Sequence, residues 1–173
     1  MDANHTTRQD RIRLQSAAVV LVLFAFADVA RGQWVEIRAM DKDQSLIHPV
    51  SSSLTTFSEV RWDVHNSYTN DILIQWSMEV FESSRGSAKT APQADVGLSV
   101  RLRSGGPRNA WYVTQPTDRT NVLSGDRQAT VAAVGTHQGE ASFGLTVAFQ
   151  SPGNTVPAAG RYESRLIGTI SAP

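Results

Sequence analysis

The chain has 173 residues, with 16 basic and 16 acidic side chains, a formal net charge of zero at pH 7 and no cysteine. The balanced charge excludes the basic surface that a nucleic-acid partner requires, and the lack of cysteine excludes disulfides and thiolate metal sites. The length suits a single domain with one hydrophobic core.

The first 32 residues have the three parts of a secretory signal peptide. Arginines form its positively charged start: Arg8, Arg11 and Arg13. The apolar run at residues 17–27 is well short of the roughly 20 residues that span a bilayer. Small residues allow cleavage after Ala27 or after Gly32. We therefore predict a cleaved signal-peptide helix over residues 1–32 and a secreted, periplasmic or cell-surface protein with no stable membrane span; a buried amino-terminal helix and a retained anchor are the alternatives.

The rest of the chain, residues 33–173, repeats the alternation of apolar and polar residues that is typical of half-buried strands. The pattern recurs at residues 33–40, 59–66, 71–81, 96–103, 110–115, 128–134, 142–150 and 161–171. Turn signals rich in Ser, Gly, Pro and Asn lie between these segments, and no segment has a sustained helical period. We therefore predict an all-β fold, an immunoglobulin-like antiparallel β-sandwich domain over residues 33–173.

An aromatic pair, Trp111 and Tyr112, follows a Gly-Gly-Pro turn. Neighbouring residues of a strand face opposite ways, so one ring of the pair is expected to be exposed. An exposed ring beside a loop can stack on a sugar, which makes the pair a candidate carbohydrate-binding site. The alternative is that the pair covers the end of the sandwich. Trp76, in the middle of an apolar face, is predicted to lie in the core.

The chain after residue 32 lacks the patterns of common catalytic and metal sites. Its histidines are isolated in sequence: His48, His65 and His137. No zinc motif, serine nucleophile elbow or phosphate-binding glycine loop is present. An Asp-x-Asp-x-Ser run at residues 41–45 resembles the opening of a calcium loop, but the later glycine and glutamate of that loop are missing, which favours a polar turn. We expect no enzyme activity, no cofactor and no metal.

A Pro-Ala-Ala-Gly-Arg-Tyr segment at residues 157–162 leads into the last alternating strand. This region resembles the carboxy-terminal part of bacterial chaperone–usher pilus subunits, and within them the spore coat protein U-like group. Pro157, Gly160 and Tyr162 match the pattern of that family. The additional alanine at residues 158–159 and the lack of cysteine depart from it.

The resemblance implies a sandwich without its final strand, whose groove accepts a strand from a neighbouring subunit. The candidate donor is the segment at residues 33–40. Alternate apolar residues would carry the contact, in the donor Val35, Ile37 and Ala39, and in the groove Leu166 and Ile170. The alternative is that residues 33–40 pair within their own domain and close the sandwich.

These features predict an exported structural or adhesive surface protein, in the manner of a pilin or coat subunit that assembles by β-strand exchange. Its partners would then be other copies of the chain or a chaperone. A self-contained extracellular module that binds carbohydrate or protein is the alternative function.

Overall fold

The computed structural model describes residues 10–16, 34–41, 43–48, 54–84, 91–106, 110–155 and 160–172. Within these ranges the chain forms thirteen strands and two short 3-10 turns, and no α-helix. The strands are β1 (Asp10–Ser16), β2 (Val35–Ala39), β3 (Gln44–His48), β4 (Leu54–Thr56), β5 (Val60–Asn66), β6 (Ile72–Glu79), β7 (Phe81–Ser83), β8 (Gln93–Gly105), β9 (Trp111–Gln115), β10 (Thr117–Arg119), β11 (Gln128–Gly135), β12 (Gly139–Gln150) and β13 (Tyr162–Ser171).

The strands form two sheets that pack face to face. Sheet A has the order β3-β1-β13-β6-β11-β9, and sheet B has the order β2-β5-β12-β8-β10, with β4 beside β12. The short strand β7 joins the sheets at one corner, because it pairs with β13 on one side and β8 on the other. Among the described pairs only β1 with β13 is parallel. The fold is therefore the all-β antiparallel sandwich that the alternating sequence predicts.

The core lies between the sheets and follows the predicted alternation. Residues spaced two apart along β5, β6 and β12 are buried: Val60, Trp62, Val64, Ile72, Ile74, Trp76, Met78, Phe143, Leu145, Val147 and Phe149. On β8 the pattern ends earlier than predicted, since Val100 is buried but Leu102 is 38% exposed. The register of β8 against β12 shifts just past Leu102, where a β-bulge bends the strand away from the regular ladder.

Tryptophan rings and glycines fit together in this core. A Cβ on Gly168 would lie 2.6 Å from Cζ3 of Trp62. Trp111 lies between two glycines, where a Cβ would come within 3.1 Å of the ring at Gly105 and 2.5 Å at Gly135. Among the described residues, the indole Nε1 atoms of the core tryptophans have no hydrogen-bond partner. Ring shape, and not hydrogen bonding, therefore holds these side chains in place.

Most of the predicted signal peptide, including the apolar run and both cleavage sites, lies outside the described residues. Its described part, residues 10–16, is strand β1 and not part of a helix. This segment belongs to sheet A, where it pairs with both β13 and β3. In the part of the chain that the structure describes, no helix has the length and apolar character needed to cross a bilayer.

Candidate functional site at the outer edge of strand β13

Strand β13 is the last described strand and lies inside sheet A. Its core-facing residues include the predicted groove residues, since Leu166 is fully buried and Ile170 is 8% exposed. Tyr162, at the start of the strand, packs edge-on against Phe149 with ring centroids 5.3 Å apart. Most of one edge of β13 is occupied, because β7 pairs antiparallel with residues 162–163 and β6 with residues 166–171.

The other edge of β13 pairs only with β1 among the described strands. The pairing is parallel and runs from Ile12 opposite Tyr162 to Ser16 opposite Leu166. From residue 167 to residue 171 no described strand lies on this edge. In sequence, β1 has its apolar residues at alternate positions, and the register sets Ile12 opposite the buried Tyr162 and Leu14 opposite the half-buried Ser164. This edge therefore accepts a strand, and the strand it holds comes from the segment predicted to be removed.

Strand β3 depends on the same segment. It pairs antiparallel with β1, from Asp10 opposite His48 to Leu14 opposite Gln44, and with no other described strand. Leu46 packs against the core, whereas Ile47 is 48% exposed. Because β1 is parallel to β13, β3 runs antiparallel to β13 one strand further out. Without β1, both β3 and the edge of β13 would lose a pairing partner.

The predicted donor segment does not occupy this edge. Its strand, β2, pairs antiparallel with β5 in sheet B, with Ile37 opposite Val64. Ile37 is 2% exposed, and Val35 and Ala39 pack against the core from the sheet edge. Residues 35–39 thus pair within their own domain, as the alternative prediction stated, although in the sheet opposite β13. The structure brings Ile37 to the inner face of β13 and not to its edge.

The aromatic pair is divided between core and surface, as strand geometry predicts. Trp111 is 4% exposed and contacts the ring of Phe143 edge-on, with centroids 6.3 Å apart. Tyr112 is 46% exposed on the opposite side of β9. Trp111 therefore covers one end of the core, and only Tyr112 of this pair is available to a ligand.

The polar run at residues 41–45 follows β2 and enters β3, and residue 42 within it lies outside the described residues. Asp41 Oδ2 accepts a hydrogen bond from the backbone N–H of Arg61 at 2.5 Å, and this bond ties the segment to β5. In the described ranges, no group of three or more His, Asp or Glu side chains is arranged to hold a metal ion.

The outer face of sheet B carries one charge cluster with a clear electrostatic effect. Glu59 accepts a hydrogen bond from Arg101 Nε at 2.6 Å and forms a second ion pair with Arg103. The hydrogen bond from Arg101, together with the positive charge of both arginines, holds the pKa of Glu59 below its ordinary value, although partial burial acts in the opposite direction. This cluster lies over Gly144 of β12 in sheet B, whereas the β13 site lies in sheet A.

The described strands define a class of fold: an all-β antiparallel sandwich in which β13 pairs with β1 on its outer edge. No protein-family model matches the chain, and a search of the curated proteins finds no match. The resemblance to pilus subunits therefore rests on the sequence pattern alone, on residues 157–162 and the alternating strand that follows them. Of these, Pro157 lies outside the described residues, while Gly160 and Tyr162 lead into β13.

Proposed function

We propose that this chain is an exported structural subunit of a surface assembly, in which neighbouring copies are joined by β-strand exchange at β13. The observation that carries the proposal is the position of β1 in the sequence. Residues 10–16 are the only described strand on that edge, and they precede both predicted cleavage sites. Cleavage would expose a row of unpaired backbone N–H and C=O groups along β13, which is a template for another strand.

Strand β3 is the donor that this geometry supplies. It loses its only described partner when β1 is removed. Residues 12–14 of β1 pair with β3 on one side and with β13 on the other, so they relate the register of the two strands. Ser45 and Glu163 both lie opposite Arg13, so they would face each other if β3 took the place of β1. Each cleaved chain then has one acceptor edge and one unpaired strand. A head-to-tail contact between copies uses both and leaves the next edge open, which permits a polymer.

Two hydrogen bonds tie the segment just before β3 to β5, and they favour exchange between copies over closure within one chain. Met40 N–H donates to the carbonyl of Arg61 at 2.8 Å, and Asp41 accepts from the N–H of Arg61. Moving β3 sideways by one strand spacing, about 4.8 Å, pulls directly on these bonds. A second copy brings its β3 to the edge as part of a rigid domain and leaves the bonds intact.

A disulfide trap tests the proposal, because the chain has no cysteine of its own. The mature chain, residues 33–173, would carry Ser45→Cys together with Glu163→Cys and be oxidised at increasing concentration. We expect a ladder of covalent multimers on a non-reducing gel. A comparison chain keeps residues 10–16 and replaces residues 17–33 by a Gly/Ser linker of equal length. There β1 separates the cysteines by about 9.6 Å, beyond the limit of about 7 Å for a disulfide, so it should stay uncrosslinked.

The control variant pairs Ser45→Cys with Tyr112→Cys, which is exposed on β9 at the far edge of sheet A. This pair should give no specific ladder. A disulfide confined to single chains of the Ser45→Cys, Glu163→Cys variant would show that β3 closes its own domain, and it would contradict strand exchange. Failure of this pair to form any disulfide would contradict β3 as the donor.

A further inference from the structure

A cleft of about 630 Å³ lies on the outer face of sheet B. It is formed where β2, β5 and β12 meet the carboxyl end of β8, and its volume lies in the range of small-ligand sites. The bulge of β8 opposite Ser142 lies at this end, and bulges bend and twist a sheet locally. The β-bulge in the backbone of β8 therefore explains the concave shape of the cleft. None of the cleft residues belongs to the edge of β13.

Trp34 forms one wall of the cleft and is 48% exposed. Its backbone N–H donates to Ser67 Oγ at 2.5 Å, and its carbonyl accepts from the Ser67 hydroxyl at 2.7 Å. One face of its ring stacks on His65, with centroids 4.2 Å apart and planes 6° from parallel. The other tryptophans of the chain are buried. An exposed indole that is fixed by its backbone and by stacking is a preformed aromatic platform.

Fixed polar groups lie beside this platform. Arg61 donates to both carboxylate oxygens of Asp63, at 2.9 and 3.1 Å, and to Ser142 Oγ at 3.0 Å. Arg38 donates to Glu36 Oε1 at 2.5 Å on the neighbouring strand. These ion pairs hold acceptor and donor atoms side by side on rigid strands. Because the charges are paired, the cleft has little preference for an anionic or a cationic ligand.

We propose that this cleft binds a neutral hexose unit of a glycan. A sugar ring presents an apolar C–H face, which fits a flat indole, and an edge of hydroxyl groups that each donate and accept a hydrogen bond. The Trp34 platform and the adjacent guanidinium–carboxylate pairs supply the matching surfaces. The site goes beyond strand exchange, and it lies in sheet B while the acceptor edge lies in sheet A. An assembled chain would therefore keep its clefts accessible.

Intrinsic fluorescence tests the proposal with the mature chain, since Trp34 is the one exposed indole among four tryptophans. The probes are cellohexaose, mannohexaose and maltohexaose, with sialyllactose as a charged comparison. We expect at least one neutral oligosaccharide to cause a saturable emission shift. By calorimetry, Trp34→Ala should weaken binding of that oligosaccharide about tenfold, because loss of a ring contact worth about 1.4 kcal/mol changes the dissociation constant by that factor. Trp34→Phe keeps an aromatic ring and should retain part of the affinity.

Leu73→Ala is the matched control, because it removes an exposed apolar side chain from β6 in the other sheet, away from the cleft. It should bind the same probe as tightly as the unchanged protein. Far-ultraviolet circular dichroism confirms that each variant is folded. Absence of binding to all three neutral probes at millimolar concentration overturns the proposal, as does equal binding by Trp34→Ala or binding to sialyllactose alone. None of these results bears on the disulfide trap at β13.

Discussion

Ile37 of β2 and Gly168 of β13 meet across the core of the sandwich, although they belong to opposite sheets. A Cβ on Gly168 would lie 2.9 Å from Cδ1 of Ile37 and 2.6 Å from the ring of Trp62. Ile37 and Trp62 thus fill the space that a side chain larger than that of Gly168 would occupy. The predicted donor segment and the predicted groove strand do make contact, but through their inner faces and within one chain.

Gly168→Ala should destabilise the domain. The added methyl group has no space beneath Trp62 and Ile37, and overpacking of a close-packed core costs about 1–3 kcal/mol. Urea unfolding followed by circular dichroism measures the change in the free energy of unfolding. The control is Gly106→Ala, where a Cβ meets no atom within 4 Å. Equal stability of the two variants would mean that the Trp62–Gly168 contact is absent in solution.

Ile37→Ala tests whether β2 is part of the folded domain. Truncating a fully buried isoleucine leaves a cavity and costs about 2–5 kcal/mol. Ile47→Ala is the matched control, because Ile47 is 48% exposed on β3, and we expect a change within about 0.5 kcal/mol there. If residues 35–39 were instead a free arm, the mature monomer would unfold at the same urea concentration with and without the Ile37→Ala substitution.

Asp95 fixes the loop after β10 to the start of β8. Its Oδ1 atom accepts from the backbone N–H of Val122 at 2.7 Å and from the Thr120 hydroxyl at 3.2 Å, and its residue is 9% exposed. Asp95→Ala leaves these donors unpaired and should lower the free energy of unfolding by about 1–3 kcal/mol. Asp95→Asn keeps an acceptor oxygen and should cost less.

The same unfolding measurement on Asp71→Ala, an exposed aspartate before β6, provides the baseline for loss of a surface carboxylate. We expect Asp71→Ala to be the most stable of the three variants, Asp95→Asn to be less stable, and Asp95→Ala to be the least stable. A reversal between the two Asp95 variants would show that the carboxylate is not the acceptor in this loop.

Glu59 makes the stability of the domain depend on pH. Its pKa is lower in the folded state than in the unfolded state, where it has its ordinary value of 4.5. The unfolded state therefore binds the proton first as pH falls, so the stabilisation is present above pH 4.5 and is lost as pH falls through the lowered pKa. Glu59→Gln should reduce the urea midpoint at pH 7 and have progressively less effect below pH 4.5.

The partner variant identifies the cause of this pH dependence. In an Arg101→Gln background the principal hydrogen bond to Glu59 is gone. Adding Glu59→Gln to that background should then change the midpoint much less at pH 7 than it does alone. A pH-independent effect of Glu59→Gln in the unchanged protein would refute the lowered pKa.

The sequence predicts the strands that bury one full face. Burial of one face imposes an alternation of apolar and polar residues, and this alternation is present in the segment itself, whichever strand it pairs with. β5, β6, β12 and β13 are of this kind, and their inward residues match the prediction. The pattern at residues 96–103 predicts Leu102 to be buried, but the bulge that exposes it depends on the register with β12. The strands β4 and β10 have three residues each, too few for an alternation to be visible, and the two apolar residues of β3, Leu46 and Ile47, are adjacent and do not alternate.

The two candidate sites depend on long-range pairing, which single-sequence patterns do not contain. Residues 10–16 combine basic and apolar residues as a signal peptide does, and only the structure pairs them with β13. In the same way, Arg61, Asp63 and His65 form the polar side of an alternating strand in the sequence. A solvated face and a cleft wall have the same pattern, and the difference arises from the neighbouring strands and the nearby bulge.

The fit of indole rings against glycines determines how the two layers align. Trp62 reaches from sheet B onto Gly168 of sheet A, and Trp111 of sheet A lies between Gly105 and Gly135. In the part of the chain that the structure describes, neither ring has a hydrogen-bond partner for its Nε1 atom. Sliding one layer by two residues, about 6.8 Å, would bring the Cβ of Leu166 or Ile170 beneath the indole of Trp62. The alignment is thus defined by the places where side-chain atoms are missing, so the most restrictive positions of this core are its smallest residues.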